Sequence, residues 1–174
     1  MIRNVTLSDA AAIAEIYNYY ISNTIITFEL EPVTPEEICA RIEKYLGTGP
    51  FLVYAADVEP IGYAYLSKFR ERKAYEHTVE STIYLKHGWD GKGIGFELYS
   101  ELLSRAALQY HTITAGIALP NRASVRLHEQ CSFVKVAHFA EVGRKFGQWI
   151  DVGFWQRRGS YANRRALISC TSDT

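Results

Sequence analysis

Two side chains in the sequence could carry protons in a reaction, Glu80 and His128. Glu80 stands in the middle of a β-prone run, where burial beside Thr82 and Tyr84 would raise the pKa of its carboxyl toward the range useful to a general base. A histidine titrates near neutral pH and can act as an acid or as a proton relay. Each residue also has a plainer interpretation: an exposed acid on a half-solvated strand, and a surface or core histidine on a short helix.

A glycine-rich stretch between a predicted strand and a predicted helix could bind an anion. Residues 90–95 are Asp-Gly-Lys-Gly-Ile-Gly. Glycines let backbone N–H groups approach a ligand closely, and the N-terminus of the following helix adds a partial positive charge, so a pyrophosphate is the expected guest. A glycine-rich turn without a ligand is the alternative. The stretch matches neither the Walker pattern GxxxxGK[ST] nor the Rossmann pattern GxGxxG.

The elements that must position these residues follow the order βααβββαβαββ. Apolar spacing after Thr6 and Asp9 predicts a first helix, and Thr34, Pro35 and Glu37 predict the capped start of a second that ends at Gly47. A third helix should follow the glycine-rich stretch, and a fourth is predicted at 123–131. Strands are predicted at 2–5, 51–56, 62–69, 78–85, 112–118, 133–142 and 148–156, the last two joined by a hairpin connection at 143–147.

Alternation along the strand 78–85 assigns its residues to two faces. Glu80 shares one face with Thr78, Thr82 and Tyr84, and the residues between them take the other. No internal repeat or linker interrupts the chain. The order of elements therefore predicts one α+β domain at 1–157, followed by a polar tail at 158–174 that is expected to be disordered.

Composition excludes several functional classes. The 174 residues contain 19 Lys and Arg against 19 Asp and Glu, so no general field attracts nucleic acid or an anionic membrane. No run approaches the ~20 apolar residues of a membrane span, and the first residues lack the apolar region of a signal peptide. The three cysteines have no metal-ligand spacing. We therefore expect a cytoplasmic protein without a metal.

Two separated motifs resemble those of the GNAT superfamily of acetyltransferases. The superfamily carries Q/R-x-x-G-x-G/A after its fourth strand, and Gly93 and Gly95 match it, with Asp90 in place of the usual Gln or Arg. A second pattern, N-x-x-A/S-x-x-L/F-Y-x-x-x-G-F, corresponds to the run that begins at Asn121 and ends at Phe133. His128 takes the place of its Tyr.

Further stretches narrow the resemblance to phosphinothricin N-acetyltransferases and the related bacterial acyltransferases for methionine sulfone and methionine sulfoximine. These stretches are 78–82, 119–121, 124–129 and 151–156, together with a Lys-Phe-Gly-x-Trp hairpin at 145–149. The resemblance extends from about Ile2 to Gln156. It implies the GNAT fold, with a mixed, mostly antiparallel twisted sheet of about seven strands and four helices.

The resemblance also implies an activity and the residues that perform it. Acetyl-CoA would be the co-substrate, and its acetyl group would pass by direct attack to the free α-amino group of a small amino-acid-like acceptor. Glu80 would be the base, directly or through a water, and His128 the acid or a relay. Which of the two moves which proton stays open.

Binding residues follow from the same resemblance. The predicted acetyl-CoA contacts are Ile83, Tyr84, Leu85, Gly91, Lys92, Gly93, Ile94, Gly95, Phe96 and Asn121, where Asn121 is equally a helix N-cap. Lys92, Arg122 and Arg126 are alternatives for the 3′-phosphate. The predicted acceptor contacts are Phe28, Glu29, Arg72, Tyr75 and Thr82, with Arg72 as a carboxylate clamp and Trp149 as a further aromatic. The family forms homodimers in which the final hairpin lies near the partner's site.

Two other functions stay open. One is an acyltransferase for a different amine, such as another amino acid, a polyamine or a protein N-terminus. The other is a CoA-binding sensor without catalysis, which the presence of both Glu80 and His128 disfavours.

Overall fold

The computed structural model describes residues 1–159 of the chain. Within these residues the helices are α1 (Ala10–Asn23), α2 (Pro35–Leu46), α3 (Ile94–Ala106) and α4 (Arg122–Gln130). The strands are β1 (Ile2–Asn4), β2 (Phe51–Ala56), β3 (Glu59–Lys68), β4 (Thr78–Leu85), β5 (Thr112–Leu119), β6 (Val134–Lys145) and β7 (Gln148–Arg158). Short 3₁₀ helices lie at Leu7–Asp9 and Lys73–Tyr75.

The seven strands form one sheet in the order β1-β2-β3-β4-β5-β7-β6. All neighbouring strands are antiparallel except β4 and β5, which are parallel. The α+β class and the mixed, mostly antiparallel sheet with four helices are confirmed.

Helices cover both faces of the sheet. Strand β2 illustrates the division, because Leu52 belongs to the apolar core that includes Leu98 and Leu102 of α3, whereas Val53 belongs to the core that includes Ile13 of α1 and Ile42 of α2. Removal of these apolar surfaces from water holds the layers together. The sheet is thus the fixed middle layer on which the functional residues are placed.

The start of α2 is the capping box that its sequence predicts. The backbone N–H of Thr34 donates to the Glu37 carboxylate at 2.7 Å, and the backbone N–H of Glu37 donates to Thr34 Oγ1 at 3.2 Å. Pro35 occupies the first turn. Two N–H groups that the helix itself leaves without partners are therefore bonded, which sets where the preceding loop ends.

The final hairpin is tighter than the predicted five-residue connection, so that prediction is wrong. Strand β6 continues to Lys145, which pairs with Gln148, and only Phe146 and Gly147 form the turn. Both have positive φ, at 49° and 77°. This is the two-residue primed turn that suits the twist of paired strands. Strand β7 includes Arg158, one residue beyond the predicted domain boundary, and residues 160–174 of the predicted tail lie outside the described residues.

Strands β4 and β5 separate after a short stretch of pairing. Their register joins Thr78–Glu80 to Thr112–Thr114 and goes no further, although β4 continues to Leu85 and β5 to Leu119. The buried Ser81 side chain lies at the point of separation, where its hydroxyl donates to the Thr114 carbonyl oxygen at 3.0 Å. Because that hydroxyl has one hydrogen, the Tyr99 hydroxyl, 2.7 Å away, must donate to Ser81.

Replacement of Ser81 with alanine should destabilise the protein. It leaves two buried groups, the Thr114 carbonyl and the Tyr99 hydroxyl, without this partner, and such losses cost about 1–3 kcal/mol. Urea denaturation measures the change in the free energy of unfolding. Ser67→Ala on the adjacent strand is the control, because its contact to the Glu80 carbonyl is 3.5 Å long. Equal stability of the two variants would show that the Ser81 hydroxyl does not hold the strands at this point.

Candidate active site

A cavity of about 260 Å³ lies where β4 and β5 separate. Its lining includes Glu80, Thr82 and Tyr84 from β4, together with His128 from α4 and Phe28 from the loop between α1 and α2. We call it the central cavity. The alternation predicted for strand 78–85 is confirmed, since Val79 packs in the core beside α3 while Tyr84 packs beside α1. The structure thus brings both candidate proton carriers to one space.

The Glu80 carboxylate is largely enclosed, and its environment favours the neutral acid. Burial raises the pKa of Glu80 above its usual value, and the positive charge of Arg70 offsets part of that rise. Across the cavity stands Gly116 of β5, where an added Cβ would lie 3.5 Å from Glu80 Oε1. A glycine in a strand often marks a place where another group approaches the backbone closely. The space in front of the carboxylate therefore depends on the missing side chain of Gly116.

His128 is buried, with 4% of its surface exposed, and its ring orientation is determined by a backbone bond. Nδ1 lies 2.7 Å from the Ser124 carbonyl oxygen, one helical turn earlier. A carbonyl only accepts, so Nδ1 carries a proton and the neutral ring has its lone pair on Nε2. The rings of Tyr99 and Phe133 pack edge-on against it. Burial lowers the pKa of His128, which favours the neutral form.

The glycine-rich stretch presents backbone to open space at the start of α3. Gly91 and Gly93 have φ of 75° and 81°, and a Cβ on either would meet no atom within 4 Å. Gly93 is the N-cap of α3 and no side chain caps it. The first N–H groups of a helix lack partners within it, and they form a ready anion site. Lys92 lies close by with its ammonium 4.3 Å from the Trp89 ring centroid.

The other predicted cofactor residues surround the central cavity and this loop. Ile83 and Tyr84 line the cavity, and Leu85 ends β4 beyond the last pair with β5. Ile94 is buried while Phe96 is exposed on α3. Asn121 lines the cavity and also caps α4, since its side-chain oxygen accepts from the Ser124 N–H at 3.1 Å. Both interpretations of Asn121 are therefore compatible.

Glu29 does not line the central cavity, because Arg41 of α2 holds its carboxylate. The guanidinium donates to both carboxylate oxygens at 2.7 and 3.0 Å, and the Tyr17 hydroxyl donates to Oε1 at 3.0 Å. Burial opposes ionisation, but the hydrogen bonds and charge of Arg41, together with the Tyr17 hydrogen bond and the charge of Lys145, outweigh it, and the pKa of Glu29 is lowered. Glu29 thereby fixes the loop that carries Phe28.

Arg72 and Tyr75 lie apart from the other predicted acceptor residues. They line a second cavity, of about 310 Å³, near the start of β4. The Tyr75 ring packs edge-on against Phe69 at 5.7 Å. Arg70 lines this second cavity as well, and its charge acts on Glu80. Arg70 therefore lies in the second cavity while its positive charge acts on a carboxylate of the central cavity.

Several lining residues did not emerge from the sequence. Tyr17, Tyr65 and Gly116 lie on three different elements, and no spacing in the sequence links them. Spacing in the sequence does link Ser124 and His128, since residues four apart on a helix are neighbours. Aromatic contacts complete the wall, with the rings of Tyr17 and Tyr84 5.1 Å apart.

The described part of the chain contains neither a candidate metal-binding cluster nor a candidate membrane-spanning helix. Residues 1–159 contain no cluster of three or more His, Cys, Asp or Glu side chains that could hold a metal ion. Across the same residues, no helix has the length and apolar character needed to cross a membrane.

Comparison with known proteins identifies the family. An acetyltransferase (GNAT) domain model matches residues 2–153. A phosphinothricin N-acetyltransferase of Streptomyces viridochromogenes is 40% identical over 157 residues, which cover 90% of this chain and 86% of the relative. An L-methionine sulfoximine/L-methionine sulfone acetyltransferase of Salmonella typhimurium is 35% identical, over 89% of this chain and 92% of the relative.

Solved structures agree with this match. A crystal structure of a GNAT superfamily phosphinothricin acetyltransferase from Sinorhizobium meliloti, in complex with acetyl-CoA, is similar with a TM-score of 0.88 and 34% identity. The similarity covers 91% of this chain and 87% of that one. The domain match, the two relatives and the shared fold all agree: this chain belongs to the GNAT family of acetyltransferases.

Proposed function

We propose that the protein transfers the acetyl group of acetyl-CoA to the free α-amino group of a small amino-acid-like acceptor, such as phosphinothricin, methionine sulfoximine or methionine sulfone. The observation that carries the proposal is the central cavity, whose lining includes a half-buried carboxylate and a buried imidazole at the separation of β4 and β5. The named activities of the two relatives support this class of acceptor.

The chain has the features needed to hold acetyl-CoA, whose thioester supplies the acetyl group. Beyond Glu80, the β5-facing edge of β4 has no strand partner among residues 1–159, so backbone groups of Ile83, Tyr84 and Leu85 can bind an extended pantetheine arm as a further strand would. The open backbone of residues 91–96 suits the pyrophosphate. Asn121 would contact the pantetheine, and Lys92, Arg122 and Arg126 remain alternatives for the 3′-phosphate.

Glu80 would take the proton that the acceptor ammonium must lose before its nitrogen can attack. A half-buried carboxyl with a raised pKa binds a proton more tightly than a surface one, so its ionised form is the stronger base toward the ammonium. The open space beside Gly116 leaves room for the amine or for one bridging water. Water exclusion by the surrounding tyrosines strengthens the interaction between carboxylate and ammonium.

His128 would act as a relay rather than as an independent acid. Its Nδ1 proton is engaged by the Ser124 carbonyl, so a proton bound for the departing thiolate must pass through Nε2. Burial lowers the pKa of His128 and leaves Nε2 without a proton at neutral pH. The ring must therefore accept a proton, ultimately from the acceptor amine, before it can donate one.

The acceptor would lie between Phe28 and Thr82 in the central cavity, with its carboxylate toward the turn that carries Arg70 and Arg72. Arg72 is the clamp predicted from the sequence, and Arg70 is the cation whose charge acts on Glu80. Tyr75 lies in the same second cavity. Glu29 would contribute through the position of its loop, because its carboxylate is bound to Arg41.

The decisive test is thiol release from acetyl-CoA with phosphinothricin, methionine sulfoximine, methionine sulfone and ordinary amino acids supplied separately. We expect saturable release with at least one of the first three. Glu80→Gln should lower kcat/KM by about 10²–10⁴-fold, the usual contribution of a positioned base. Glu43→Gln, which removes an exposed acid of α2 that lines neither cavity, should leave it unchanged. If no acceptor causes thiol release while acetyl-CoA still raises the Tm of the protein, the proposed acceptor class is refuted. That result would favour acetylation of another amine or a CoA-binding sensor.

The pH dependence of kcat/KM provides a separate test. A base works only when deprotonated, so activity should fall as pH decreases through the pKa of Glu80. Because burial raises that pKa, the fall should begin at a higher pH than for an exposed glutamate. The acid limb should be lost from the residual activity of Glu80→Gln. An unchanged acid limb in that variant would assign the limb to another group.

We also propose that two copies of the chain associate, as the family resemblance implies, and that β6 forms the contact. Strand β6 is an edge of the sheet, and its exposed apolar side chains are Val134, Val136, Phe139 and Val142. Such an edge favours pairing with another chain.

The cytoplasmic location and the lack of a nucleic-acid partner remain predictions from composition.

Sedimentation equilibrium should give the mass of two chains. Val136→Glu, which places a charge on this edge, should shift the protein toward the mass of one chain, since burial of an unpaired charge is costly. Val58→Glu, the same change at an 88% exposed position in the turn between β2 and β3, is the matched control. A wild-type mass of one chain at micromolar concentration would contradict the proposed dimer.

A further inference from the structure

The loop between α1 and α2, residues 24–34, carries Phe28 into the wall of the central cavity without forming a helix or strand of its own. Its position therefore depends on side-chain contacts. Asn18 of α1 bonds both backbone groups of Val33, at 2.8 and 2.9 Å, which fixes one end. The Arg41–Glu29 ion pair fixes the residue directly after Phe28.

A third contact reaches the loop from the final hairpin. Lys145, the last residue of β6, is only 3% exposed. Its ammonium donates to the Thr27 carbonyl oxygen at 2.8 Å, across 118 positions of sequence. A buried lysine is costly unless its charge is compensated. Burial lowers the pKa of Lys145, and the negative charge of Glu29 opposes that shift.

The same hairpin also limits where the Phe28 ring can lie. A Cβ at Gly143 would fall 2.4, 2.5 and 3.0 Å from three atoms of that ring, and the first two distances are shorter than real Cβ contacts. The ring therefore rests on bare backbone of β6. We call the Lys145–Thr27 bond and the Phe28–Gly143 packing together the hairpin–loop contact.

We propose that Lys145 and Gly143 are positioning residues for the acceptor. Through the hairpin–loop contact they hold Phe28 as a fixed wall of the central cavity, facing the strand that carries Glu80, and so determine how tightly the acceptor binds. The inference rests on the proposed function. It assigns the hairpin a role within its own chain, in addition to the role beside a partner that the family resemblance implies.

The predicted effect is on acceptor binding and not on the chemical step. Lys145→Met keeps an unbranched apolar stem and removes the donor, and loss of a hydrogen bond from a charged group should shift the equilibrium between the held and the released loop by about tenfold or more. We expect the KM for the acceptor to rise about tenfold on that basis, with the KM for acetyl-CoA and kcat little changed. Arg144→Met is the matched control, because Arg144 is an exposed neighbour that lies over Trp149 and loses the same charge.

A double-mutant cycle tests whether Lys145 acts through Phe28. In a Phe28→Ala background, Lys145→Met should raise the acceptor KM much less than in the wild type, because the wall it holds is gone. Gly143→Ala displaces the same ring without a charge change, and should reproduce the KM effect even where Lys145→Met folds poorly. An unchanged acceptor KM in both single variants, or independent effects in the cycle, would overturn the proposal.

Hydrogen–deuterium exchange provides a readout that does not depend on turnover. Amides of residues 24–31 should exchange faster in Lys145→Met than in the wild type and stay unchanged in Arg144→Met. If the wild type acetylates none of the amino-acid acceptors, the proposed function fails, while the exchange rates still decide the hairpin–loop contact. Equal exchange in wild type and Lys145→Met would refute it.

Discussion

The active site depends on the point where pairing between β4 and β5 ends. Three residue pairs hold these parallel strands together, and the Ser81 hydroxyl then bonds the Thr114 carbonyl in place of a further ladder bond. Backbone polar groups in a protein interior must find partners. The Ser81 side chain therefore gives the Thr114 carbonyl a partner where the strands separate. The backbone groups of β4 beyond this point remain available to a ligand.

Burial shifts the pKa values of the two candidate proton carriers, Glu80 and His128, in opposite directions. It raises the pKa of Glu80 and lowers the pKa of His128, since in each case it disfavours the charged form. A carboxyl normally ionises at lower pH than an imidazole, so these shifts bring the two affinities for a proton closer together. Proton movement between groups of similar affinity needs little driving force, which suits a site where one proton must leave an amine and one must reach a thiolate.

Local patterns predicted the elements well, and contacts between distant elements explain what they missed. The capping box at Thr34 and the alternation around Glu80 depend on neighbours in sequence, and both appear as expected. The hairpin turn was misjudged because Phe146 adopts positive φ, which is uncommon for a bulky residue. The positive charge that acts on Glu80 comes from Arg70, and only folding of the turn brings that residue near the carboxylate, so no sequence pattern indicated it. The Arg41–Glu29 and Lys145–Thr27 bonds join residues on separate elements and have no local signature.

The Lys145 ammonium donates to the main-chain carbonyl oxygen of Thr27 and not to a side chain. A carbonyl oxygen is present whatever amino acid stands at that position, so the anchoring of the loop places little demand on the loop's own sequence. Substitution at Phe28 can alter the shape of the cavity wall while the anchor beside it stays in place. On the proposed function, selection could thus change the preferred acceptor one residue at a time, with the proposed proton-transfer residues on β4 and α4 untouched.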